Sequence, residues 1–297
     1  MTALTVRVVG GSNQISAYLI PALLLAGHRV EVYSRRSPPI WLPPTANMQW
    51  MEGPRGLGRS RDSAVDALVY LAPLDQFSKL SGALCAASRV VVFSSTSATS
   101  KLDSGDLGER ALASALEQGE RQISEQTRGA NATLAILRPT LIYGAGLDQN
   151  LTRLARFLAR WRMMPLLGAA SGKRQPVHAE DLAQTALQLV QGPRPVEGTY
   201  DLPGGSILSY REMVRKVFES LQISPRFISV PTPLVRSVLP LMNRTRRWRD
   251  LNLAMLDRMN QHLVYDYTPA VRDFGYEPRP FMPQASTWLP LDQQKGL

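Results

Sequence analysis

The sequence predicts an α/β protein in which a doubly wound parallel sheet is covered by helices on both faces. Several short segments of the first half are continuously apolar, whereas strands with one face in water alternate between apolar and polar residues. Segments with helical periodicity separate these strands, and such an alternation builds a parallel sheet. A glycine pair ends the first strand, where folds of this class make a tight turn.

The elements follow one another in a regular order. The first strand, 6–9, ends at Gly10-Gly11, and a helix over 14–26 ends at Gly27, a residue type common just after helix ends. The remaining strands of this half are predicted over 29–33, 48–51, 67–71, 89–93 and 133–137, and its remaining helices over 74–87 and 107–128. Ligands of doubly wound folds bind at the carboxyl ends of the strands, so we expect functional residues there.

The composition excludes several classes of protein. The chain has 297 residues, 44% of them apolar and 20% charged, as in an ordinary globular protein. No apolar run reaches the roughly 18 residues of a membrane-spanning helix, and Arg7 interrupts the N-terminal apolar stretch, so we expect a first strand there and no secretory signal. Cys85 is the only cysteine, which suits a cytoplasmic protein. His28, His178 and His262 are far apart, and no metal site is expected.

The chain is strongly basic, with a formal charge of +10 and a pI near 10.1. This charge favours an anionic substrate or an anionic partner surface. The densest basic segment is 244–249 (RTRRWR), preceded by Arg236. Three interpretations stay open: a solvated helix face, a phosphate or diphosphate clamp, and a membrane-surface or nucleic-acid patch. No recognisable nucleic-acid-binding motif accompanies it, so nucleic acid is the disfavoured partner.

The turn after the first strand resembles a degraded phosphate-binding loop. Dinucleotide-binding proteins of Rossmann type need a tight turn here, so that backbone N–H groups and the helix dipole meet a pyrophosphate. Extended dinucleotide-binding folds space three glycines as G-x-x-G-x-x-G, whereas this window keeps Gly10 and has Asn13 and Ser16 in the other two places. Asn tolerates a left-handed backbone, and Ser is small enough for close packing. The alternative is a tight turn that binds nothing.

The end of the second strand bears on cofactor choice. An NAD site has an acidic residue there to accept the ribose hydroxyls, but this sequence has Ser34-Arg35-Arg36. Two guanidinium groups beside a hydroxyl suit a 2′-phosphate, so NADP(H) is favoured over NAD. The alternative is a pair of solvated loop arginines.

The second half of the chain has a different character. It contains an Arg-rich helix over 151–161, a strand and helix over 177–191 and a proline-interrupted tail from Pro231. We predict a Rossmann-type dinucleotide-binding domain over 1–165 and a smaller C-terminal substrate lobe over 166–297, with 176–200 returning to the first domain.

Six segments, in order over nearly the whole chain, carry a family resemblance. They are 67–73 (ALVYLAP), 93–96 (FSST), 137–144 (LRPTLIYG), 176–183 (PVHAEDLA), 198–212 (GTYDLPGGSILSYRE) and 266–279 (DYTPAVRDFGYEPR). Together they resemble the extended short-chain dehydrogenase/reductases, the group of NAD-dependent nucleotide-sugar epimerases and dehydratases. The resemblance implies a nucleotide-sugar or related carbonyl substrate, and it implies homodimers formed through a pair of helices beside the active site.

The loop spacing and the resemblance together predict which residues contact the ligands. Arg279 is predicted to bind the substrate. The predicted cofactor-binding residues are Gly10, Ser12, Asn13, Gln14, Ile15, Ser34, Arg35, Arg36, Leu71, Ala72, Pro73, Ser94, Pro139 and Thr140.

The family's catalytic pair is missing. The family uses a tyrosine as general acid/base, a lysine four residues later that lowers its pKa, and a Ser or Thr that polarises the substrate. Thr96 fits the Ser/Thr position. With Glu125 as the trailing glutamate of Y-x-x-x-K-x-x-x-E, Glu117 stands in the tyrosine position and Arg121 in the lysine position, whereas counting from Thr96 puts Arg121 in the tyrosine position.

Neither register supplies the chemistry, because an arginine keeps its proton at ordinary pH. Glu117 and Arg121 form either a helix salt bridge or a rewired acid/base pair. The candidate catalytic residues are Thr96, Glu117, Arg121 and Tyr143, with Thr96 and Tyr143 as the nearest proton donors.

Three functions follow. The first is an atypical NADP-dependent oxidoreductase or epimerase, since a fold that positions NADPH beside a carbonyl retains some rate by proximity. The second is a catalytically silent NADP(H)-binding sensor or assembly protein. The third is a membrane-surface-associated protein whose Arg-rich tail contacts anionic lipid.

Overall fold

Seven strands form one central sheet. A computed structural model of the chain describes residues 2–40, 42–52, 64–74, 87–230 and 258–294. The sheet consists of β1 (Thr5–Val9), β2 (Arg29–Ser34), β3 (Met48–Glu52), β4 (Val65–Tyr70), β5 (Ala87–Phe93), β6 (Thr133–Pro139) and β11 (Gly198–Leu202). Their spatial order is β11-β6-β5-β4-β1-β2-β3, and every neighbouring pair is parallel.

This order places a topological switch point beside β1. The chain leaves β1 for β2 and β3 on one side and then returns to β4 on the other. Doubly wound folds bind their ligands in a crevice at the carboxyl edge of the sheet beside such a switch point.

Helices cover both faces of the sheet, as the continuously apolar strands predicted. On one face lie α1 (Gln14–Leu25) and α5 (Ala179–Gln191), whose apolar residues pack with Val6 and Val8. On the other face Ile123 of α3 (Leu107–Gly129) packs with Val9 and Val92. The Rossmann-type doubly wound fold is confirmed.

A buried ion pair lies within the sheet. Arg7 of β1 is fully buried and stands directly opposite Glu31 of β2. Its Nε and Nη2 atoms donate to Glu31 Oε2 at 3.1 and 2.8 Å, and its guanidinium lies 5.7 Å from the ring centre of Tyr33. The arginine that interrupts the first apolar segment is thus neutralised inside the sheet.

The second half of the chain adds a separate apolar core. Phe281 and Trp288 close this core. Its elements are α4 (Leu151–Trp161), β8 (Met164–Leu167), α6 (Tyr210–Ser220) and β13 (Phe227–Val230). Between its elements, α5 packs on the main sheet and β11 forms its edge strand, whereas β10 (Val177–His178) pairs with Ile142–Tyr143 in a separate two-stranded sheet. The division at residue 165 stays a prediction.

The other elements are short. They are α2 (Ser97–Ser100), β7 (Ile142–Tyr143), β9 (Lys173–Arg174), β12 (Leu208–Ser209), α7 (Thr268–Phe274), α8 (Leu291–Gln294) and 3₁₀ turns over Arg258–Asn260 and Ala285–Trp288.

Some predictions fall outside the described residues: most of the helix predicted over 74–87, Cys85, Arg236 and the basic segment 244–249. Within the described ranges, no helix has the length and hydropathy to cross a bilayer. The same ranges hold no cluster of side chains suited to a metal ion.

Candidate functional site

The β1–α1 turn lies close to the loop after β4. Gly10 has φ of +98°, and a Cβ there would lie 2.8 Å from the backbone nitrogen of Ala72 and 2.9 Å from the carbonyl carbon of Leu71. A Cβ on Gly11 would lie 2.2 Å from the side chain of Val32. Glycine is therefore required at both positions, and the turn comes within backbone contact of the predicted cofactor segment 71–73.

Asn13 is the N-cap of α1, and its conformation corrects the reason expected for its presence. Its φ of −107° and ψ of 176° are extended, not left-handed. Its side-chain oxygen accepts from the N–H groups of Ile15 and Ser16, both at 2.9 Å, and its Nδ2 donates to the Leu71 carbonyl at 3.0 Å. Asn stands here because it caps the helix and ties it to the loop after β4.

The end of β2 presents hydroxyl and guanidinium groups. Ser34 is buried, and its hydroxyl donates to Ser12 Oγ at 3.2 Å and accepts from the Arg36 N–H at 3.2 Å. Arg35 and Arg36 are exposed. The Arg36 carbonyl accepts from Trp50 Nε1 at 2.9 Å, which anchors this loop to β3.

A buried polar network that the sequence did not predict joins Ser94, Glu120 and Arg138. Glu120 of α3 is 6% exposed and accepts from Ser94 Oγ at 2.5 Å and from Arg138 Nε at 2.9 Å; Arg138 Nη2 bonds its other oxygen. Glu120 raises the pKa of Arg138 through these hydrogen bonds. Ser94, a predicted cofactor residue, is thus engaged with Glu120.

This network corrects the register of the catalytic motif. Glu120 is the inward-facing glutamate of α3 beside the Ser94 segment, so it fits the trailing glutamate of Y-x-x-x-K-x-x-x-E better than Glu125, which is exposed. Four and eight residues back, the lysine and tyrosine positions are then Leu116 and Leu112. Neither side chain can transfer a proton, so in this register too the chain lacks the catalytic pair.

Glu117 and Arg121 lie on the exposed face of α3. Their side chains are 42% and 71% exposed, and they form an i,i+4 ion pair at 2.5 Å. The interpretation as a helix salt bridge agrees with this geometry, and the rewired acid/base pair does not.

The other two catalytic candidates also have structural partners. Thr96 is 6% exposed and its hydroxyl donates to the Pro139 carbonyl at 3.3 Å, while its N–H donates to the same carbonyl at 3.2 Å. Tyr143 is buried in the second core, with its ring 4.9 Å from that of Phe281 and 5.0 Å from that of His178. Burial raises the pKa of Tyr143. Its role as a proton donor stays a prediction.

Arg279, the predicted substrate residue, is held by two carboxylates of α5. Its Nε and backbone N–H donate to Asp181 at 2.6 and 2.9 Å, and its Nη2 lies 2.9 Å from Glu180 Oε2. Four further predicted cofactor residues take part in backbone or side-chain hydrogen bonds around the same strand ends: Leu71, Pro73, Pro139 and Thr140. Gln14 is the first residue of α1. Substrate binding by Arg279 stays a prediction.

A cleft of about 850 Å³ opens next to the Thr96 segment. One wall is the segment 99–109 and the other is the segment 258–265. Arg258 is paired with the buried Glu109 across it, and Arg174 holds the second wall by donating to the carbonyls of Gln261, at 2.6 Å, and Arg258. Hydroxyl, carboxylate, amide and imidazole groups line the cleft.

Comparison with known proteins supports this description of the fold. No family model matches the chain. It is 25% identical over 104 residues to "NADH dehydrogenase [ubiquinone] 1 alpha subcomplex subunit 9, mitochondrial" of Arabidopsis thaliana (35% of this chain, 26% of that protein). It is 21% identical over 161 residues to the UDP-glucose 4-epimerase of Vibrio cholerae (54% of this chain, 47% of that protein). The chain thus spans about a quarter and about half of the length of these two relatives.

Solved structures match over nearly the whole chain. An epimerase from Methanothermobacter thermautotrophicus has a TM-score of 0.72 at 18% identity (94% of this chain, 89% of that one). The UDP-glucuronic acid 4-epimerase from Bacillus cereus, solved with NAD, has a TM-score of 0.71 at 14% identity (99% and 97%). The chain therefore has the fold of the epimerase-type short-chain dehydrogenase/reductases that its sequence motifs resemble.

Proposed function

We propose that this chain binds a nicotinamide dinucleotide along the carboxyl edge of its sheet and acts as an epimerase/dehydratase-like oxidoreductase. The observation that carries the proposal is Gly10, which brings the β1–α1 turn against Leu71 and Ala72 at the switch point. A turn with a side chain at this position would block the crevice in which such folds bind dinucleotides. The Bacillus cereus neighbour is named as a complex with NAD, and so is a further similar structure, the enzyme WbmH of Bordetella bronchiseptica (TM-score 0.67 at 16% identity).

The proposed preference is for NADP(H). Ser34 stands where an acidic residue would hold the ribose hydroxyls of NAD, and the exposed Arg35 and Arg36 follow it. Within the described ranges, neither guanidinium has a carboxylate within ion-pair distance, so both are available to a 2′-phosphate.

The proposed substrate is a nucleotide-sugar or a related carbonyl compound, held in the cleft between 99–109 and 258–265. The cleft starts three residues beyond Thr96, and its hydroxyl, amide and imidazole groups suit a sugar's hydroxyl groups. A further similar solved structure, the UDP-glucose 4-epimerase of Thermotoga maritima (TM-score 0.70 at 13% identity), is named as a complex with UDP-glucose. The high positive charge of the chain favours an anionic substrate of this kind.

The residues present define a restricted chemistry. The nicotinamide, when bound, supplies hydride transfer. Gly10 gives room for the dinucleotide backbone, and Arg35 and Arg36 bind its 2′-phosphate. Thr96, three residues before the cleft wall, is the hydroxyl proposed to act on the substrate. Thr96 must release the Pro139 carbonyl before it can donate to a substrate oxygen. The side chains of Leu112 and Leu116 have no ionisable proton, so they cannot perform the proton transfer that the family's tyrosine performs.

A second candidate is a catalytically silent dinucleotide-binding protein that serves in assembly or sensing. The observation that favours it is the pair of leucines, Leu112 and Leu116, in the positions of the acid/base pair. The Arabidopsis thaliana relative is named as a subunit of a subcomplex, which agrees with such a role.

Calorimetric titration and a turnover assay separate these candidates. NADPH and NADH are titrated into the purified chain, and UDP-glucose and UDP-glucuronic acid are then incubated with chain and cofactor and analysed by chromatography. NADPH binding with converted sugar supports the oxidoreductase, and binding without conversion supports the silent protein. Failure of both dinucleotides to bind at millimolar concentration overturns the proposal.

A further inference from the structure

We propose that the side chain of Asn13 competes with the dinucleotide for the N-terminus of α1 and thereby sets its affinity. The inference rests on the proposed dinucleotide binding and identifies the residue that limits it. Asn13 is the one polar side chain that spans the crevice between the β1–α1 turn and the loop after β4 in the part of the chain described.

Both ends of the Asn13 amide are engaged. Oδ1 accepts hydrogen bonds from the N–H groups of Ile15 and Ser16 in the first turn of the helix. Nδ2 donates to the Leu71 carbonyl. An anion at a helix N-terminus is bound by such N–H groups. A diphosphate that is to use them must therefore displace the asparagine.

Most of the other backbone N–H groups of this turn already donate hydrogen bonds within the protein. The N–H groups of Gly10 and Gly11 donate to the Tyr33 carbonyl at 2.8 and 3.3 Å, and the N–H of Asn13 itself donates to Ser16 Oγ at 3.0 Å. Among the described residues, only the N–H groups of Ser12 and Gln14 in this turn have no acceptor. A dinucleotide thus finds two donors in place of four unless Asn13 rotates away.

Glycine is the substitution that removes the competitor at least cost. The backbone of Asn13 is extended, which glycine adopts readily, and glycine at an N-cap costs a helix little compared with alanine. The Asn13→Gly variant frees the Ile15 and Ser16 donors and ends the bond to Leu71. Because the free energy of one or two net hydrogen bonds is recovered, we expect about tenfold tighter NADPH binding.

The matched variant is Asn13→Asp. The carboxylate keeps the two accepted hydrogen bonds that cap the helix, but it cannot donate to the Leu71 carbonyl and it adds a negative charge facing the phosphates. We expect weaker NADPH binding than in the unsubstituted chain. Adenosine 2′-monophosphate is the control ligand, because it lacks a diphosphate, so Asn13→Gly should leave its affinity unchanged.

The test is calorimetric titration of NADPH and adenosine 2′-monophosphate into the unsubstituted chain and both variants, with circular dichroism to verify folding. Tighter NADPH binding by Asn13→Gly, with weaker binding by Asn13→Asp, supports the inference. Equal or weaker NADPH binding by a folded Asn13→Gly overturns it while leaving the proposed function intact. If neither the unsubstituted chain nor Asn13→Gly binds NADPH or NADH, the proposed function fails and the inference fails with it.

Discussion

Protonation of His178 should destabilise the fold in mild acid. His178 is the N-cap of α5, and its Nδ1 accepts from the Glu180 N–H at 3.2 Å, so this nitrogen carries no proton when the cap is formed. Burial, and then the nearby Arg279 cation, lower the pKa of His178 to about 4. Glu180 Oε2 lies 3.9 Å from Nδ1 and 2.9 Å from Arg279 Nη2, so its charge is paired with the arginine.

The sign and size of the effect follow from linkage. Between pH 6.5 and 4 the unfolded chain binds a proton at this residue and the folded chain does not, so the free energy of unfolding falls as the pH falls. The stabilisation that comes from unprotonated His178 is therefore fully present above the unfolded-state pKa of about 6.5. At pH 5, the folded-state pKa of about 4 and the unfolded-state pKa of about 6.5 lower the ratio of folded to unfolded chain by a factor of about 30. This factor corresponds to about 2 kcal/mol of unfolding free energy. The His178 side chain is only 12% exposed, so solvent screening reduces this little.

The assay is urea unfolding at pH 7.5 and pH 5.0 for the unsubstituted chain and for His178→Asn. Asparagine retains an acceptor that caps the helix and cannot be protonated in this range. The variant should lose about 2 kcal/mol less than the unsubstituted chain over this interval. The control is His262→Asn at an exposed histidine, which should keep the full loss. If His178→Asn shows the same loss as the unsubstituted chain, His178 does not titrate as argued.

Three further substitutions test the site and the sheet. Arg35→Ala with Arg36→Ala should weaken NADPH binding at least tenfold more than NADH binding in calorimetry, because only NADPH has a 2′-phosphate. Arg7→Met should lower the free energy of unfolding by about 3–5 kcal/mol, since Glu31 is left as an unpaired buried charge, and Arg7→Met with Glu31→Leu should recover most of it. Glu120→Gln should cost about 2–4 kcal/mol in urea unfolding, because it removes the charge that pairs with a half-buried arginine.

A specific result would contradict each of these three predictions. Equal loss of NADPH and NADH binding would exclude a 2′-phosphate role for the two arginines. A double variant at positions 7 and 31 that is no more stable than Arg7→Met would show that the ion pair is not the reason for the loss. Glu117→Gln, on the exposed face of the same helix, should change stability by less than about 0.5 kcal/mol. A similar loss at Glu117 and Glu120 would refute the assignment of the inward face.

The strands and helices could be predicted because their signals are local. Buried parallel strands are continuously apolar, and the helix ends carry Gly27 and similar residues, so the boundaries agree within a residue or two. The register of the catalytic motif could not be predicted in this way. Glu120 and Glu125 lie on one helix, five residues apart and therefore on different faces, and only the contact with Arg138 shows which faces the site.

Contacts between segments that are far apart in the sequence could not be predicted either. Asn13 was noticed as a departure from glycine, but its bond to Leu71 joins residues that are 58 positions apart. The partner of Arg7 likewise emerges only when the parallel register of β1 and β2 places Glu31 opposite it. Conformational preferences alone had suggested a left-handed Asn13, whereas tertiary hydrogen bonds hold it extended.

Trp50 lies against the β1–α1 turn, so its fluorescence can report on a ligand bound at this edge of the sheet. A Cβ on Gly11 would lie 3.0 Å from the Trp50 indole, whose N–H also anchors the Arg36 carbonyl. Tryptophan emission overlaps the absorption band of a reduced nicotinamide, so energy transfer from this indole would report how far a bound NADPH lies from the turn. The difference between the unsubstituted chain and Trp50→Phe isolates that signal among the five tryptophans of the chain.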